Sequence, residues 1–213
     1  VMEISYGGIP GRPVGDGMDG HSWWPLFENI PTEYLEAYYP LRIESYTSIT
    51  DSGGAGFHRG GNGIEKRYVY LEPGEISIHD DRWLTHPWGI LGGKPGMRSE
   101  KILVRNGQEP ERLPSKCDEI HVQSGDVLIY RTAGGGGWKD PLDRPVEKVE
   151  SDVAKGLVSK EKAESDYGVI VGDPDASQQL RNKLRSQQGE QEVFDRDPTM
   201  DEILARCKQE TGL

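Results

Sequence analysis

Residues 134–137 are four consecutive glycines, followed by Trp138-Lys139-Asp140-Pro141. No other feature of the chain restricts its fold so strongly. Each glycine held in regular structure costs of order 0.5–1 kcal/mol relative to alanine, because the unfolded chain is so free there. Such a run stays ordered only where the backbone must lie closer to another surface than a Cβ permits. That surface is either protein or a ligand. A second cluster, Asp51-Ser52-Gly53-Gly54-Ala55-Gly56-Phe57-His58-Arg59-Gly60-Gly61, carries five glycines in eleven residues. A third stretch, Gly7 to Gly20, carries six and reads as an extended segment lying against something else. Neither cluster is a phosphate-binding loop of the Gly-Lys-Ser/Thr type, since Lys139 is followed by Asp140 and no such triplet follows Gly61.

The glycines are unevenly placed. Of 28, 23 precede residue 142, together with all five tryptophans. Beyond that point come helix-forming runs with few aromatics. The pattern predicts an α+β protein: a β-rich, glycine-loop body with a sandwich- or barrel-like sheet over 1–142, then a short-helical C-terminal tail over 143–213. Strands are expected at 41–46, 67–71, 75–79, 101–105, 119–122 and 126–130. Glu72-Pro73-Gly74 reads as a hairpin-like turn, and Asn106-Gly107 is the strongest short hairpin signal in the chain. A short helix is expected after Pro31, stopped by Pro40. In the tail, Pro145 opens a helix that Gly156 ends, and Ser159 caps the next, with Val158 and Ala163 spaced as a hydrophobic staple. Val169-Ile170-Val171 reads as a short strand or extended run. Asp175 with Gln178, and Thr199 with Glu202, have the spacing of capping boxes. Gly189 to Asp197 is a polar connection.

Composition narrows the function classes. The formal net charge of −11 argues against nucleic acid as the main partner. No run approaches the roughly 20 apolar residues of a membrane span. Two cysteines, Cys117 and Cys207, support neither a disulfide scaffold nor a four-cysteine zinc site. With no secretory signal pattern, a cytoplasmic protein is expected. The opening Val1-Met2-Glu3 has no initiator Met, which reads as cleavage or truncation.

The chemistry-bearing clusters are few. His79-Asp80-Asp81, with Arg82 beside them and His86 downstream, combines imidazole with carboxylates and offers a base or a metal ligand set. On an extended chain, however, Asp80 and Asp81 point to opposite faces, and Arg82 is placed to neutralise them. His58 and Arg59 sit in the glycine loop, where backbone amides and a guanidinium hold an anion, unless the loop is simply a packed connection. Trp83 and Trp88 offer either an aromatic platform for a sugar or an interface anchor. No Gly-x-Ser-x-Gly elbow is present.

Taken in order, a longer set of residues resembles the C-terminal part of the hydantoinase B family. It runs Asn29-Ile30-Pro31-Thr32-Glu33, Tyr39-Pro40-Leu41, Asp51 to Gly61, Pro87-Trp88-Gly89, Gly92-Gly93-Lys94-Pro95-Gly96, Gly125-Asp126, Gly134 to Leu142, and Gly156-Leu157-Val158-Ser159 through Tyr167-Gly168-Val169. The match spans residues 16 to about 171. The family comprises B-type subunits of ATP-dependent hydantoinases, 5-oxoprolinase, caprolactamase, and acetone and acetophenone carboxylases. The resemblance implies a hetero-oligomer with an A-type subunit that binds ATP and Mg and phosphorylates a carbonyl or enol oxygen. The intermediate is then hydrolysed at an amide bond or carboxylated. It further implies a divalent metal in the N-terminal part of the B-type subunit, a part this sequence lacks, so no metal ligand is assigned here. Opening of a cyclic amide, carboxylation of a ketone, and a non-catalytic assembly role all remain open at this point.

Overall fold

A computed structural model describes residues 1–21, 29–195 and 199–211. In chain order its elements are α1 (Thr32–Tyr38), β1 (Leu41–Ser48), β2 (Ile64–Tyr70), β3 (Gly74–His79), β4 (Gly89–Ile90), β5 (Glu100–Val104), β6 (Glu111–Arg112), β7 (Lys116–Val122) and β8 (Val127–Arg131). A 3-10 turn at Pro141–Asp143 leads to α2 (Val146–Ala154), α3 (Lys160–Tyr167), α4 (Pro174–Gln187), β9 (Phe194–Asp195) and α5 (Met200–Thr211). The architecture is α+β, as expected.

Five strands form one antiparallel sheet in the order β1-β2-β8-β5-β6. A second layer is the antiparallel pair β3–β7, and β4 pairs with β9. Strand alternation places one face of each layer inward. Tyr68, Leu103 and Leu128 of the large sheet meet Ile78 and Val122 of the pair, with Leu35 of α1 closing one end. The opposite face of the large sheet carries charges in register. Arg131 lies across from both Glu65 and Glu100, at 2.6 and 2.8 Å, and Arg112 pairs with Glu100.

The Asn106-Gly107 hairpin forms, joining β5 to β6 with Gly107 at φ +73°. The Glu72-Pro73-Gly74 turn is not a hairpin. Both edges of β2 are taken, by β1 and β8, so the chain crosses to the other layer before β3 begins.

The later helices follow their punctuation. Gly156 adopts φ +70° after α2, and Ser159 accepts from the Lys162 amide at the start of α3. Val158 and Ala163 are buried in one cluster with Val149, Tyr167, Val169 and Ala55, which docks α2 and α3 on the glycine loop. Val169 is not a strand residue. Past Gly168 at φ +60°, its amide bonds the Ala163 carbonyl at 2.8 Å, so its burial completes the end of α3. Helix α4 starts earlier than the Asp175–Gln178 spacing indicates. Asp173 caps it, accepting from the Ala176 amide at 2.9 Å, and Pro174 takes the first helical position, where its missing N–H costs nothing. The Thr199–Glu202 box does form at α5. Of the polar connection Gly189–Asp197, residues 196–197 lie outside the described residues, while Phe194 and Asp195 pair with β4.

Candidate functional site

The four glycines lie at the centre of a bundle of extended segments, and backbone replaces side chains as the packing material. The amide of Gly134 bonds the Met97 carbonyl at 3.0 Å, that of Gly135 the Gly61 carbonyl at 2.8 Å, and that of Gly137 the Lys94 carbonyl at 2.8 Å. In return, their carbonyls accept from Gly54, Gly11 and Ile90. Residues 7–17, 52–61 and 88–97 therefore surround residues 134–137. A Cβ on Gly134 would stand 1.7 Å from the Ser52 carbonyl oxygen, and one on Gly136 1.6 Å from that of Trp88. These contacts offset the entropy of the run. In the Asp51–Gly61 cluster, the amides of Gly53, Gly54, Gly60 and Gly61 bond Asn62, Gly135, Gly54 and Ile9. Those donors are already directed at protein acceptors.

Beside this bundle lies a buried charge network. Arg59 makes a two-pronged pair with Asp19, at 2.8 and 3.1 Å, and its Nε lies 3.6 Å from Asp152. Arg144 grips both oxygens of Asp16, at 2.7 and 2.8 Å, and donates to Asp152 at 2.8 Å. His58 completes it, with Nδ1 3.3 Å from Asp16 and its ring stacked on Trp138. Arg181 then donates to the Arg144 carbonyl at 2.6 Å, which ties α4 to the same point. Forked guanidinium–carboxylate pairs of this kind fix geometry as well as energy. Three carboxylates around two guanidiniums leave little positive charge for an anionic ligand.

Burial alone would raise the Asp16 carboxyl, but hydrogen bonding and charge from Arg144, with His58 and Arg59, outweigh it and hold the pKa at about 2, against an ordinary 3.8. A carboxylate depressed in the folded state contributes stability above its unfolded pKa and loses it as pH falls through the folded one. Resistance to urea is therefore expected to decline from about pH 4 to about pH 2, and Asp16→Asn to show a shallower decline over that window. Equal slopes in the two proteins would refute this.

His79, Asp80 and Asp81 do not converge. His79 lies on the surface, 3.2 Å from Asp118, and the Asp81 side chain is 95% exposed, 3.6 Å from Lys116. Asp80 turns inward, pairing with the fully buried Lys101 and accepting from Ser99 Oγ at 2.5 Å. The two carboxylates thus point apart, as an extended chain requires, and their cations are Lys101 and Lys116 in place of Arg82. Burial, with the Lys116 charge nearby, pulls the Lys101 ammonium down from its ordinary value to about 7, against an opposing contribution from Cys117. Trp83 is 5% exposed and Trp88 44%, so the two indoles do not share a surface platform. Among the described residues, no group of three or more His, Cys, Asp or Glu is arranged to hold a metal ion, and no helix is long and apolar enough to cross a membrane.

Sequence reasoning missed Asp16 and Asp19 and, in another part of the chain, Arg144 and Asp152; Asp16 and Arg144 are 128 residues apart. It also missed Lys66 and Lys101, for which a signal existed. Both occupy inward positions of their strands, Lys66 two residues before Tyr68 and Lys101 two before Leu103. Lys66 is 1% exposed, 2.8 Å from Glu3 and over the rings of Tyr46 and Tyr68.

This arrangement has known counterparts. The chain is 36% identical over 182 residues to the caprolactamase subunit beta of Pseudomonas jessenii, covering 76% of this chain and 30% of that protein. It is 29% identical over 202 residues to the acetophenone carboxylase delta subunit of Aromatoleum aromaticum, covering 79% and 30%. The fold superimposes on the crystal structure of the ATP-dependent caprolactamase from Pseudomonas jessenii with a TM-score of 0.70 and 28% identity, over 84% of this chain and 33% of that one. The chain spans between 8% and 31% of the length of the curated relatives it matches. The sequence profile described as hydantoinase B/oxoprolinase matches residues 1–141, two thirds of the chain, and the protein belongs to that family.

Proposed function

We propose that this chain is part of a B-type subunit of an ATP-dependent hetero-oligomer that opens cyclic amides, such as hydantoin, oxoproline or a lactam. The observation that carries this reading is the match to caprolactamase: 36% identity to its beta subunit and a shared fold with the ATP-dependent enzyme. An unstrained amide resists water because its carbonyl carbon is a poor electrophile. Moving a phosphoryl group onto the carbonyl oxygen makes that carbon reactive. Water then adds, the ring C–N bond breaks, the nitrogen takes a proton, and phosphate is released.

The residues present do not fit a nucleotide. Neither glycine cluster has phosphate-loop chemistry, and Arg59 and Arg144 are both engaged by carboxylates. In this reading ATP and Mg bind an A-type partner. Its role is to form a rigid wall that holds partner surfaces in place. The exposed His79 and Asp81 test this division of labour, since alanine at either is expected to leave turnover within about twofold while the complex remains assembled.

The acetophenone carboxylase match supports a second reading, ATP-dependent carboxylation of a ketone, at lower identity. Purified intact complex incubated with ATP and either a cyclic amide or a ketone plus bicarbonate separates the two. ADP release coupled to ring opening is the expected result. ADP release only with ketone and bicarbonate would transfer the assignment to the second reading, and none with either would remove both.

A further inference from the structure

Helix α5 is attached in an unusual way. No residue of Met200–Glu210 is buried, and Met200 and Leu204 are 67% and 59% exposed. A short amphipathic helix normally stays docked by burying an apolar stripe. This one is held by polar contacts near its end. Glu210 Oε1 lies 3.1 Å from Arg98 and 3.8 Å from Arg112, and Arg206 donates to the Leu84 carbonyl at 3.2 Å. Arg98 is fixed from behind by a 2.6 Å bond to the Trp83 carbonyl. Beneath the helix lies a cavity of about 340 Å³, walled by Trp83, Arg98, Glu100, Arg112, Arg206 and Glu210. That volume lies within the usual range of small-ligand pockets, roughly 300–1,000 Å³.

Glu210 therefore reaches a pocket lined by guanidiniums, from a helix in which no residue of Met200–Glu210 is buried. Its carboxylate bridges two arginines, as the carboxylate of a small molecule would. With Glu210 and its helix withdrawn, Arg98 and Arg112 remain on the wall beside Glu100. We propose that this cavity binds a small carboxylate-bearing molecule through Arg98 and Arg112, and that Glu210 is an internal occupant which the ligand displaces, releasing α5. Guanidinium forks match carboxylate geometry, and the indole of Trp83 supplies an apolar wall for a short carbon chain. Nothing in this exchange requires lactam or ketone chemistry elsewhere in the complex.

The closed helix lowers the binding-competent fraction, so apparent affinity falls by that fraction. Glutarate is a suitable probe, titrated calorimetrically into the intact protein at low chloride. Glu210→Gln, which keeps the shape and removes the charge, is expected to tighten glutarate binding about tenfold or more. Arg112→Gln, at a side chain 48% exposed, is expected to abolish it without loss of fold, as checked by circular dichroism. In the unsubstituted protein, glutarate is expected to speed amide hydrogen exchange across residues 200–211. Three results would each overturn the proposal: no glutarate binding to either the parent or Glu210→Gln, unchanged affinity in Arg112→Gln, or inorganic phosphate binding more tightly than glutarate. The exchange measurement needs no variant, and unchanged protection of α5 at saturating glutarate would overturn the displacement of Glu210.

Discussion

Gly136→Ala is expected to prevent the protein from reaching its native state. The new Cβ would lie 1.6 Å from the Trp88 carbonyl oxygen, and the next nearest atoms are the Trp88 carbonyl carbon and the Gly89 nitrogen. All are backbone, so no rotamer change relieves the contact. The segments around it are fixed in turn by hydrogen bonds from Gly137 to Lys94 and from Ile90 to Gly137. Real Cβ atoms do not approach other heavy atoms within 3.0 Å, so the strand of backbone must move by more than an ångström. The loss is expected to reach about 4 kcal/mol or more, the extreme of single substitutions and comparable with the whole stability of many domains. Gly189→Ala is the matched control. Nothing lies within 4 Å of its Cβ, and the change should stay within about 0.5 kcal/mol. Soluble yield and urea midpoints measure both, and a Gly136→Ala protein melting with the parent would contradict the packing described here.

Arg144→Met is expected to cost about 3–5 kcal/mol, the usual consequence of removing one member of a buried ion cluster. The side chain is 1% exposed and engages Asp16, Asp152 and the Phe57 carbonyl. Methionine replaces its volume but strips Asp16 and Asp152 of their shared guanidinium, leaving Arg59, already paired with Asp19, and His58 beside them. Most of the loss should come from those stranded charges, so adding Asp152→Asn to Arg144→Met should recover part of it. A double-mutant cycle in urea reads that recovery directly. A cost below about 1 kcal/mol, or no coupling between the two positions, would show that the network is not what holds α2 and α4 to the glycine bundle.

Features set within a few residues of one another were legible from the chain alone. The Asn106-Gly107 hairpin, the Gly156 helix end and the Thr199–Glu202 box are each decided by adjacent backbone and side-chain chemistry. The four glycines were legible as a place of close approach, though not what approached them. Layer membership was not legible, because β3 leaves β2 only when β1 and β8 have taken both its edges, and β8 is drawn from residues 127–131. The charge network was hidden for the same reason. Asp16 and Arg144 stand 128 residues apart, and nothing local marks either as a partner. Conversely, His79, Asp80 and Asp81 are neighbours in sequence but diverge in space, because a strand end sends successive side chains to opposite sides.

The glycine bundle also governs the order in which the molecule can be made. Its central segment is synthesised after the three that surround it, and Thr132 reaches back 126 residues to the Tyr6 carbonyl. Until residues 134–137 arrive, the earlier segments have no common axis to gather on. Contacts so distant along the chain slow folding, because each must close a long loop before it returns any energy. During translation residues 1–133 emerge before that axis exists, and a pause or chaperone contact ahead of Gly134 is expected to affect yield.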